Sequence, residues 1–422
     1  MIYSEAIQFL YSLRLFGAKF GLENTFHLAA LAGNPQGKLR FIHVAGTNGK
    51  GSTCAMLESI YRAAGLRVGL FTSPHLVSFR ERIQVNRQLI PENKVVRLVE
   101  ELRAVNLENE ATLFEFATVM ALKFFAEQQC DLVIWETGLG GRLDATNIVT
   151  PLASVITNIA FDHQQWLGGT LEKIAAEKAG IIKPGIPVVT TADDLAAFAV
   201  FESVAREKNS PLTHIGQDPA SSLQHPTSLL GDHQKLNAAL ALATVEVLQK
   251  QIPVPEEKIR AGLATVNWPG RLQWVEKAGG GKILLDGAHN VAGAETLRAA
   301  LEKDFAGTKP VLIFGALADK NWPAICRLLA PLASKIFTVP VASGRTAEAN
   351  ALADSFRSAN PAAAAAACEN LSGALIACKD EPFVVITGSL YLVGEALERL
   401  GLSPADGGER GLNEWNAPQI PR

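Results

Sequence analysis

The stretch FIHVAGTNGKGST, residues 41–53, decides the fold that we predict for this chain. Its mostly apolar beginning predicts a buried strand, and a glycine-rich turn follows. The next residues, 54–64, place Met56, Leu57 and Ile60 on one face of a helix. A helix that begins directly after such a turn directs backbone N–H groups and the positive end of its dipole at one spot. The stretch therefore predicts a cradle for phosphate groups.

Lys50 and the nearby hydroxyls favour a nucleoside triphosphate, because a lysine neutralises phosphate oxygens and a hydroxyl reaches a bound Mg²⁺. The glycine spacing differs from that of the common phosphate-binding loop G-x-x-x-x-G-K-[ST]. Here only two residues separate Gly46 from Gly49, and Gly51 follows the lysine. The alternative is a glycine-rich turn of another α/β protein. Because strand, turn, lysine and hydroxyls agree, we prefer the nucleotide site.

The composition predicts a globular protein of two domains. A chain of 422 residues is longer than one typical domain. Hydrophobic residues make up 48% and charged residues 19%, which is enough apolar material for sizeable cores. The net charge of −3 gives no electrostatic reason to expect nucleic acid or an anionic membrane as a partner. We therefore expect small molecules as partners, and neither nucleic acid nor membrane.

The cysteines and the N-terminus predict a cytoplasmic location. The five cysteines are scattered and never form a CxxC pair, which argues against a disulfide framework and a zinc site. Residues 4–16 resemble an amphipathic helix and not a secretory signal. No uninterrupted apolar run reaches the roughly 20 residues that span a bilayer.

Short β-branched runs alternate with longer helical patterns, which is typical of an α/β fold with mainly parallel sheets covered on both faces. The strand candidates are residues 41–44, 67–71, 132–135, 154–157, 187–190, 282–285, 310–314, 335–339 and 383–387. Residues 82–86 alternate in polarity and predict an edge strand or hairpin. The short alanine run at 362–367 does not indicate a repeat architecture, and we predict no element for it.

The domain boundary is predicted near residues 267–271, after two long helical patterns. We expect one domain over residues 1–270 and a smaller α/β domain over 271–422. Residues 403–422 are rich in proline, glycine and polar side chains, and predict a loose tail.

Polar residues follow several strand candidates, where ligands bind in parallel sheets. Glu136 ends one strand and precedes a glycine-rich loop, which is where an α/β ATPase places a Mg²⁺ ligand; the alternative is a solvated surface loop. Asp162 and His163 follow another strand. Histidine is an unusual Mg²⁺ ligand because hard cations prefer oxygen, so the chemistry alone ranks Asp162 above His163.

Lys178 is placed unusually for a lysine. In the helical pattern 170–181 it shares a face with Leu171, Ile174 and Ile181, so it is predicted to point inward. Snorkelling is one explanation. The other is an active-site lysine, modified or uncharged, since a buried amine loses its charge readily.

The second half repeats this arrangement. The segment DGAHN, residues 286–290, follows a strand candidate and offers a carboxylate, a glycine turn and an imidazole; Asp286 is alternatively an N-cap. The segments SGR at 343–345 and TGSLY at 387–391 follow later strands and are either anion sites or ordinary turns. Asn237 lies on a predicted helix, where its amide either reads an adenine edge or caps locally.

These segments together resemble the folylpolyglutamate synthase and dihydrofolate synthase family, relatives of the Mur peptide ligases. The matching pieces run in order along nearly the whole chain: HVAGTNGKGST (43–53), FTSPHLVSFRERIQVN (71–86), ETGLGGRLDATN (136–147), DH before WLG (162–168), EKAGIIK (177–183), PGRLQ (269–273), DGAHN (286–290) and TGSLYLVGE (387–395). Val291 departs from the pattern, because the family usually has proline there. Proline suits a first helical turn without being chemically required.

The resemblance implies a P-loop-containing, Mur-ligase-type ATPase domain with a mainly parallel sheet, and a smaller Rossmann-like C-terminal domain. It implies an ATP-dependent ligase that phosphorylates a pteroate or folate carboxylate and lets the amine of L-glutamate attack the acyl phosphate. The implied cofactors are ATP and Mg²⁺ at two sites, and the implied oligomeric state is a monomer.

The site residues implied by the resemblance fall into four groups. The residues implied to bind ATP are Thr47, Asn48, Gly49, Lys50, Gly51, Ser52, Asn237, Arg271 and Asp286. The implied Mg²⁺ ligands are Ser73, Glu136, His163 and, once carbamylated, Lys178. The implied catalytic residues are Lys50, Lys178 and His163. The folate pocket is assigned to Ser73, Pro74, His75, Arg82, Thr112, Phe114 and Thr118. Glutamate is assigned to His289 and Ser389.

Two other functions remain open at this point. A Mur-type ligase acting on another carboxylate has the same phosphate loop, although SPHLVSFRERI is a folate-ligase feature. A P-loop switch protein binds nucleotide too, but no guanine-reading NKxD follows a strand. An inactive relative is disfavoured because every expected site residue is present.

Overall fold

The computed structural model describes residues 1–14, 21–106, 111–216, 225–277, 280–305, 307–403 and 408–414. Two sheets, each covered by helices, make up the described structure. Its strands are β1 Phe41–Ala45, β2 Val68–Phe71, β3 Ile83–Val85, β4 Gln88–Leu89, β5 Leu132–Glu136, β6 Ala153–Ile156, β7 Val188–Thr190, β8 Leu212–His214, β9 Gln273–Glu276, β10 Lys282–Leu285, β11 Val311–Phe314, β12 Lys335–Thr338, β13 Ala364–Ala367 and β14 Phe383–Thr387.

The helices lie between most of these strands, as an α/β fold requires. They are α1 Tyr3–Leu13, α2 Glu23–Leu31, α3 Lys50–Ala63, α4 Glu92–Val105, α5 Leu113–Glu127, α6 Gln164–Leu167, α7 Leu171–Ala179, α8 Leu195–Glu207, α9 Asp232–Leu248, α10 Glu256–Thr265, α11 Val291–Asp304, α12 Trp322–Leu329, α13 Ala349–Ala359, α14 Leu371–Ala377 and α15 Leu390–Arg399. Short 3₁₀ helices include Phe79–Arg82 and Glu409–Asn413.

The first sheet has eight strands in the order β4-β3-β2-β5-β1-β6-β7-β8. All neighbours pair in parallel except β2 with β3 and β3 with β4. β1 lies between β5 and β6, with Val44 opposite Glu136 and Ala45 opposite Ile156. The loops that follow these three strands therefore meet at one edge of the sheet.

The second sheet has six strands in the order β13-β12-β11-β14-β10-β9, and β9 alone runs antiparallel to its neighbour. The division between the two sheets falls after α10 and before β9. Buried aliphatic and aromatic side chains cover both faces of each sheet.

The predicted fold class is confirmed, and each strand candidate overlaps a strand of the structure. The predicted edge hairpin at 82–86 is β3, which pairs with β4. The alanine run at 362–367 contains β13, a strand that the sequence did not indicate. Alanine favours helices, and here pairing with β12 decides the conformation instead.

The prediction of a loose tail over 403–422 is wrong for residues 408–414. Leu412 is buried, and the buried Glu409 carboxylate accepts hydrogen bonds from Ser78 Oγ and the Phe79 N–H. The high polarity of the segment concealed these contacts, because its polar groups bind other parts of the chain. Residues 404–407 and 415–422 of the predicted tail, and 15–16 of the predicted first helix, lie outside the described residues.

Across the described ranges, no helix combines the length and the apolar composition that crossing a bilayer requires.

Candidate active site

The glycine-rich turn between β1 and α3 forms an open cradle. Gly46 and Gly49 have φ angles of 147° and 89°, which favour glycine. A Cβ atom at Gly46 would lie 1.7 Å from Thr157 Oγ1. Gly49 is the N-cap of α3, and no side chain caps this helix. The first N–H groups of a helix have no intrahelical acceptor, so the start of α3 offers donors to an anion.

Two lysines meet at the carbonyl group of Gly46. Lys50 Nζ donates to it over 3.1 Å, and Lys178 Nζ over 2.8 Å. Lys178 is buried, as its helix face predicted. Burial, reinforced by the charge of Lys50, lowers the pKa of Lys178 to about 7. A substantial fraction of this amine is therefore uncharged at neutral pH.

Glu136 places a buried carboxylate at the end of β5, beside the phosphate loop. Its Oε2 accepts a hydrogen bond of 3.2 Å from the Ser73 N–H. Burial raises the pKa of Glu136 to about 7, although the Lys50 charge opposes the shift. A cation near this carboxylate would stabilise its charged form.

Asp162 connects the two sheets across the edge of the cradle. Its Oδ1 lies 2.6 Å from Lys320 Nζ, and its Oδ2 accepts a hydrogen bond of 3.0 Å from Asn290 Nδ2. His163 Nε2 and His289 Nε2 lie 3.8 Å and 3.7 Å from the same Oδ2. Although burial opposes the shift, these nearby basic groups hold the pKa of Asp162 well below its usual range.

The two histidines near Asp162 are uncharged at neutral pH. Burial, with a contribution from Lys320, lowers the pKa of His163 to about 3 and that of His289 to about 4. His289 Nδ1 donates to the Gly287 carbonyl over 2.8 Å, which places its free lone pair on Nε2.

Thr47 and Asn48 shape the cradle through contacts within the protein. The Thr47 N–H donates to the Asn158 carbonyl, and the Asn48 N–H donates to Asn158 Oδ1. The Asn48 amide also exchanges hydrogen bonds of 3.0 and 3.2 Å with the amide of Asn290 in the second sheet. Because both N–H groups have acceptors, the donors left for a ligand begin at Gly49.

The segment DGAHN after β10 is tied down by its own side chains. Asp286 accepts hydrogen bonds from the N–H groups of Leu272 and Ala288. Burial raises the pKa of Asp286, and Arg271 opposes this. Asn290 caps α11 by accepting from the Gly293 N–H, and Ser389 caps α15 by accepting from the Tyr391 N–H.

These elements surround one cavity of about 440 Å³ between the two sheets. Every predicted site residue lines it except His75 and Thr118. Asn237 lies beside Gly49, and Arg271 and Asp286 lie on the second-sheet side. The cavity joins the phosphate loop, the Glu136 carboxylate and the loops after β10 and β14.

His75 and Thr118, which the resemblance assigns to the folate pocket, do not line this cavity. Thr118 is fully buried, and its Oγ1 donates to the Phe114 carbonyl one turn earlier in α5. His75 is buried between Arg82 and the Glu409 carbonyl. Both residues stand beside cavity residues in sequence, but their side chains point into the core.

Sequence reasoning missed Lys320, Asn158 and Asn290. Lys320 follows β11 closely, in the segment GALADK, so its place after a strand was a usable signal. The pairing of Asn290 with Asn48 had no such signal, because it joins residues that are far apart in the chain.

Comparisons with known protein families agree with this geometry. Residues 44–245 match the Mur ligase middle domain, and residues 270–390 match the glutamate ligase domain of Mur ligases. The two matched segments carry the two sheets. The fold is therefore that of the Mur ligases, and the chain is an ATP-dependent ligase of this class.

Similarity to individual proteins extends over nearly the whole chain. A Bacillus subtilis protein named dihydrofolate synthase/folylpolyglutamate synthase is 36% identical over 94% of this chain and 99% of its own length. The crystal structure of Thermotoga maritima folylpolyglutamate synthase matches with a TM-score of 0.83 and 35% identity, covering 97% of this chain and 98% of that one. Escherichia coli FolC in complex with DHPP and ADP matches with a TM-score of 0.84 and 30% identity, covering 95% and 98%.

This chain belongs to the dihydrofolate synthase/folylpolyglutamate synthase family. The resemblance found in its motifs is confirmed, and the comparisons do not favour a ligase for another carboxylate or a nucleotide switch.

Proposed function

We propose that this chain joins L-glutamate to dihydropteroate and adds further glutamates to folylpolyglutamates. The γ-phosphoryl group of ATP passes to the folate-side carboxylate, and ADP is formed. The glutamate amine then attacks the acyl carbon, which forms the amide and expels phosphate. The observation that carries this proposal is that the start of α3, Glu136, His289 and Ser389 all line the same cavity. The names of the relatives and the ADP held by the E. coli protein support it.

The cradle that we propose for the ATP phosphates consists of Gly49, Lys50, Gly51 and Ser52. Their backbone N–H groups and the Lys50 charge surround the start of α3, where an anion is stabilised. Thr47 and Asn48 hold this loop in shape from behind. Phosphoryl transfer between two anions depends on such fixed positive charge.

Magnesium fits the donors at the end of β5. The described parts of the chain contain no group of three or more histidine, cysteine or acidic side chains arranged for a metal ion. Mg²⁺ requires no such cage, because it keeps water and phosphate oxygens as ligands. We assign one ion to Ser73, Glu136 and His163 and a second to carbamylated Lys178. Bound Mg²⁺ neutralises charge on the transferring phosphoryl group.

Lys178 has the properties that carbamylation requires. The reaction joins the uncharged Nζ to the carbon of CO₂ and releases one proton, which leaves a carboxylate on the side chain. Burial and the nearby Lys50 charge favour the uncharged amine. We expect Lys178→Ala to lose turnover and to regain part of it with added short carboxylates. Intact turnover of this variant without them would contradict the role.

The remaining nucleotide contacts are assigned to Asn237, Arg271 and Asp286. Asn237 lies next to Gly49, where a Cβ atom would meet its Oδ1 at 2.5 Å. Arg271 and Asp286 come from the start of the second sheet, so ATP would contact both sheets. This arrangement supports the division into an ATP- and folate-binding domain, 1–270, and a glutamate-binding domain, 271–422.

We assign the glutamate side to His289 and Ser389, and we add Lys320 to them. All three line the cavity from the second sheet. Lys320 is already held by Asp162, so its charge is fixed near the reaction centre. Holding the amine against the acyl phosphate is the contribution that such positioning makes to the rate.

The folate side is assigned to Ser73, Pro74, Arg82, Thr112 and Phe114, which line the cavity. Phe114 offers a ring face for stacking on a pterin, and Arg82 offers a charge for a carboxylate.

Product analysis tests the proposed function. The purified chain is given ATP, Mg²⁺, glutamate and either dihydropteroate or a reduced folate, and mass spectrometry counts the glutamates added. We expect phosphate release only in complete mixtures and a product heavier by whole glutamyl units. Equal phosphate release with a muramyl nucleotide and no folate would contradict the proposal.

We further propose that the protein is a cytoplasmic monomer. The five cysteines are unpaired, as a reducing compartment favours. Light scattering at working concentration should give a mass near 45.1 kDa; twice that mass would contradict the monomer.

A further inference from the structure

Residues 408–414, which we name the C-terminal strap, leave the second sheet and bind elements of the first. The Glu409 carboxylate accepts hydrogen bonds from the Phe79 N–H at 2.6 Å, Ser78 Oγ at 3.0 Å and Tyr3 OH at 3.2 Å. The strap therefore packs against α1 and the 3₁₀ helix Phe79–Arg82. This 3₁₀ helix ends at Arg82, which lines the cavity.

The strap also fixes the side chains of His75 and Arg82. Asn413 Oδ1 accepts a hydrogen bond of 2.7 Å from Arg82 Nη2, while its Nδ2 donates to the His75 carbonyl over 2.8 Å. Arg82 Nε donates to His75 Nδ1 over 2.9 Å. The proton of this imidazole is therefore on Nε2, which donates to the Glu409 carbonyl over 3.0 Å. Two of the three guanidinium nitrogens are thus held in a defined plane.

Arg82 is 5% exposed, yet within the described residues no carboxylate lies within 4.0 Å of its guanidinium. Its hydrogen-bond partners, His75 and Asn413, are both neutral, because burial keeps the pKa of His75 well below its usual value. Burying a charge is costly unless an opposite charge accompanies it. The carboxylates of Glu81 and Glu136 act on Arg82 only from a greater distance. Arg82 lines the cavity, so a ligand carboxylate can supply the direct partner that the described residues do not.

We propose that Glu409 and Asn413 are positioning residues for the folate substrate. They hold His75 and Arg82 so that the guanidinium presents its remaining N–H groups to a carboxylate of that substrate. This inference rests on the proposed function. Because the strap follows α15, whose N-cap Ser389 lines the cavity, it also joins the glutamate side of the site to the folate side.

The test compares Asn413→Ala and Asn413→Asp with a matched control, Asn360→Ala. Asn360 is half-buried like Asn413, and its side chain also makes two hydrogen bonds, one to the Ala330 carbonyl and one from the Ala362 N–H. Asn360 does not line the cavity. Calorimetry measures the Kd for dihydropteroate, for a reduced folate and for ADP, and initial rates give KM and kcat.

We expect Asn413→Ala to raise the Kd and KM for the folate substrate about three- to tenfold, the contribution of one hydrogen bond. Asn413→Asp should raise them further, by about tenfold or more, because its carboxylate pairs with Arg82 and competes with the ligand. The Kd for ADP should stay unchanged in both variants. Asn360→Ala should leave all values unchanged. If dihydropteroate and the reduced folate both bind more weakly, Arg82 contacts the carboxylate that reacts. If only the reduced folate binds more weakly, Arg82 contacts a carboxylate of its glutamyl group.

An unchanged Kd for both folates in Asn413→Ala and Asn413→Asp would overturn the inference and leave the proposed function standing. An equal loss of ADP and folate binding would also overturn it, since that result indicates general damage to the fold. If the unmodified chain binds neither folate, the proposed function fails, and the inference fails with it.

Discussion

The helices α3 and α11 begin in equivalent places, but only α11 has a side-chain N-cap. Each starts after a parallel strand of its own sheet and faces the shared cavity. α3 follows Gly49 and has no side-chain cap, whereas Asn290 caps α11 by accepting from the Gly293 N–H over 2.8 Å. The start of α3 therefore remains open to a ligand, and the start of α11 is closed by the protein itself.

Because of this difference, the two sheets offer different kinds of ligand-binding groups to the cavity. The first sheet binds an anion through backbone N–H groups and Lys50, as an uncapped helix start allows. The second sheet uses its backbone donors internally and offers side chains instead, among them His289 and Lys320.

Lys50→Ala removes the fixed charge at the open helix start. We expect turnover to fall by at least about 10³-fold, since charge stabilisation at a transferring phosphoryl group has effects of that order. The fold should survive, because the side chain bonds only the Gly46 and Thr47 carbonyls. Turnover and thermal unfolding are measured together, with Lys173→Ala, an exposed lysine on α7, as the control. Undiminished turnover in Lys50→Ala would contradict the role of the open start of α3 as the anion site.

Lys320→Ala breaks the ion pair that joins the two sheets. The side chains of Lys320 and Asp162 are only 8% and 10% exposed, so removing one partner should cost about 3 kcal/mol of stability. The matched control is Lys335→Ala, whose pair with Glu381 is 2.8 Å long but 43% and 29% exposed. That change should cost less than about 1 kcal/mol. Chemical denaturation measures both variants, and similar losses would show that the buried pair has no special role.

Asn290→Ala opens the start of α11 and removes the amide that bonds Asn48 and Asp162. We expect a loss of about 1 kcal/mol of stability from the missing cap, together with slower turnover and an unchanged affinity for ATP. Asn370→Ala is the control, because Asn370 caps α14 by the same contact from the Gly373 N–H at 2.9 Å. It should cost similar stability and leave turnover unchanged. Equal turnover in the two variants would show that Asn290 acts only as a cap.

The phosphate side of the site could be predicted from the sequence because its signals are local. The strand, the glycines and Lys50 lie within residues 41–53, and the helix period alone placed Lys178 inward. Glu136 was identified because it ends a buried strand. Each of these predictions depends on neighbours in the chain, which the sequence displays.

The contacts between distant segments could not be predicted in this way. The pairs Asn48–Asn290 and Asp162–Lys320 depend on how the two sheets meet. The strap residue Glu409 lies in a segment whose composition resembles a loose tail. β13 has the composition of a helix and becomes a strand only by pairing with β12. That His75 and Thr118 do not line the cavity could not be predicted, because a motif identifies a segment but not the direction of each side chain.

In the proposed reaction, a phosphoryl group at the open start of α3 passes to the folate-side carboxylate before the amide forms. A substrate labelled with ¹⁸O in its carboxylate distinguishes this order of steps from the alternatives. The chain is given this substrate with ATP, Mg²⁺ and glutamate, and mass spectrometry of the released phosphate detects the label. We predict one ¹⁸O in each phosphate, because the bond that breaks leaves the carboxylate oxygen on phosphorus. Phosphate without ¹⁸O, released while the amide forms, would contradict the account.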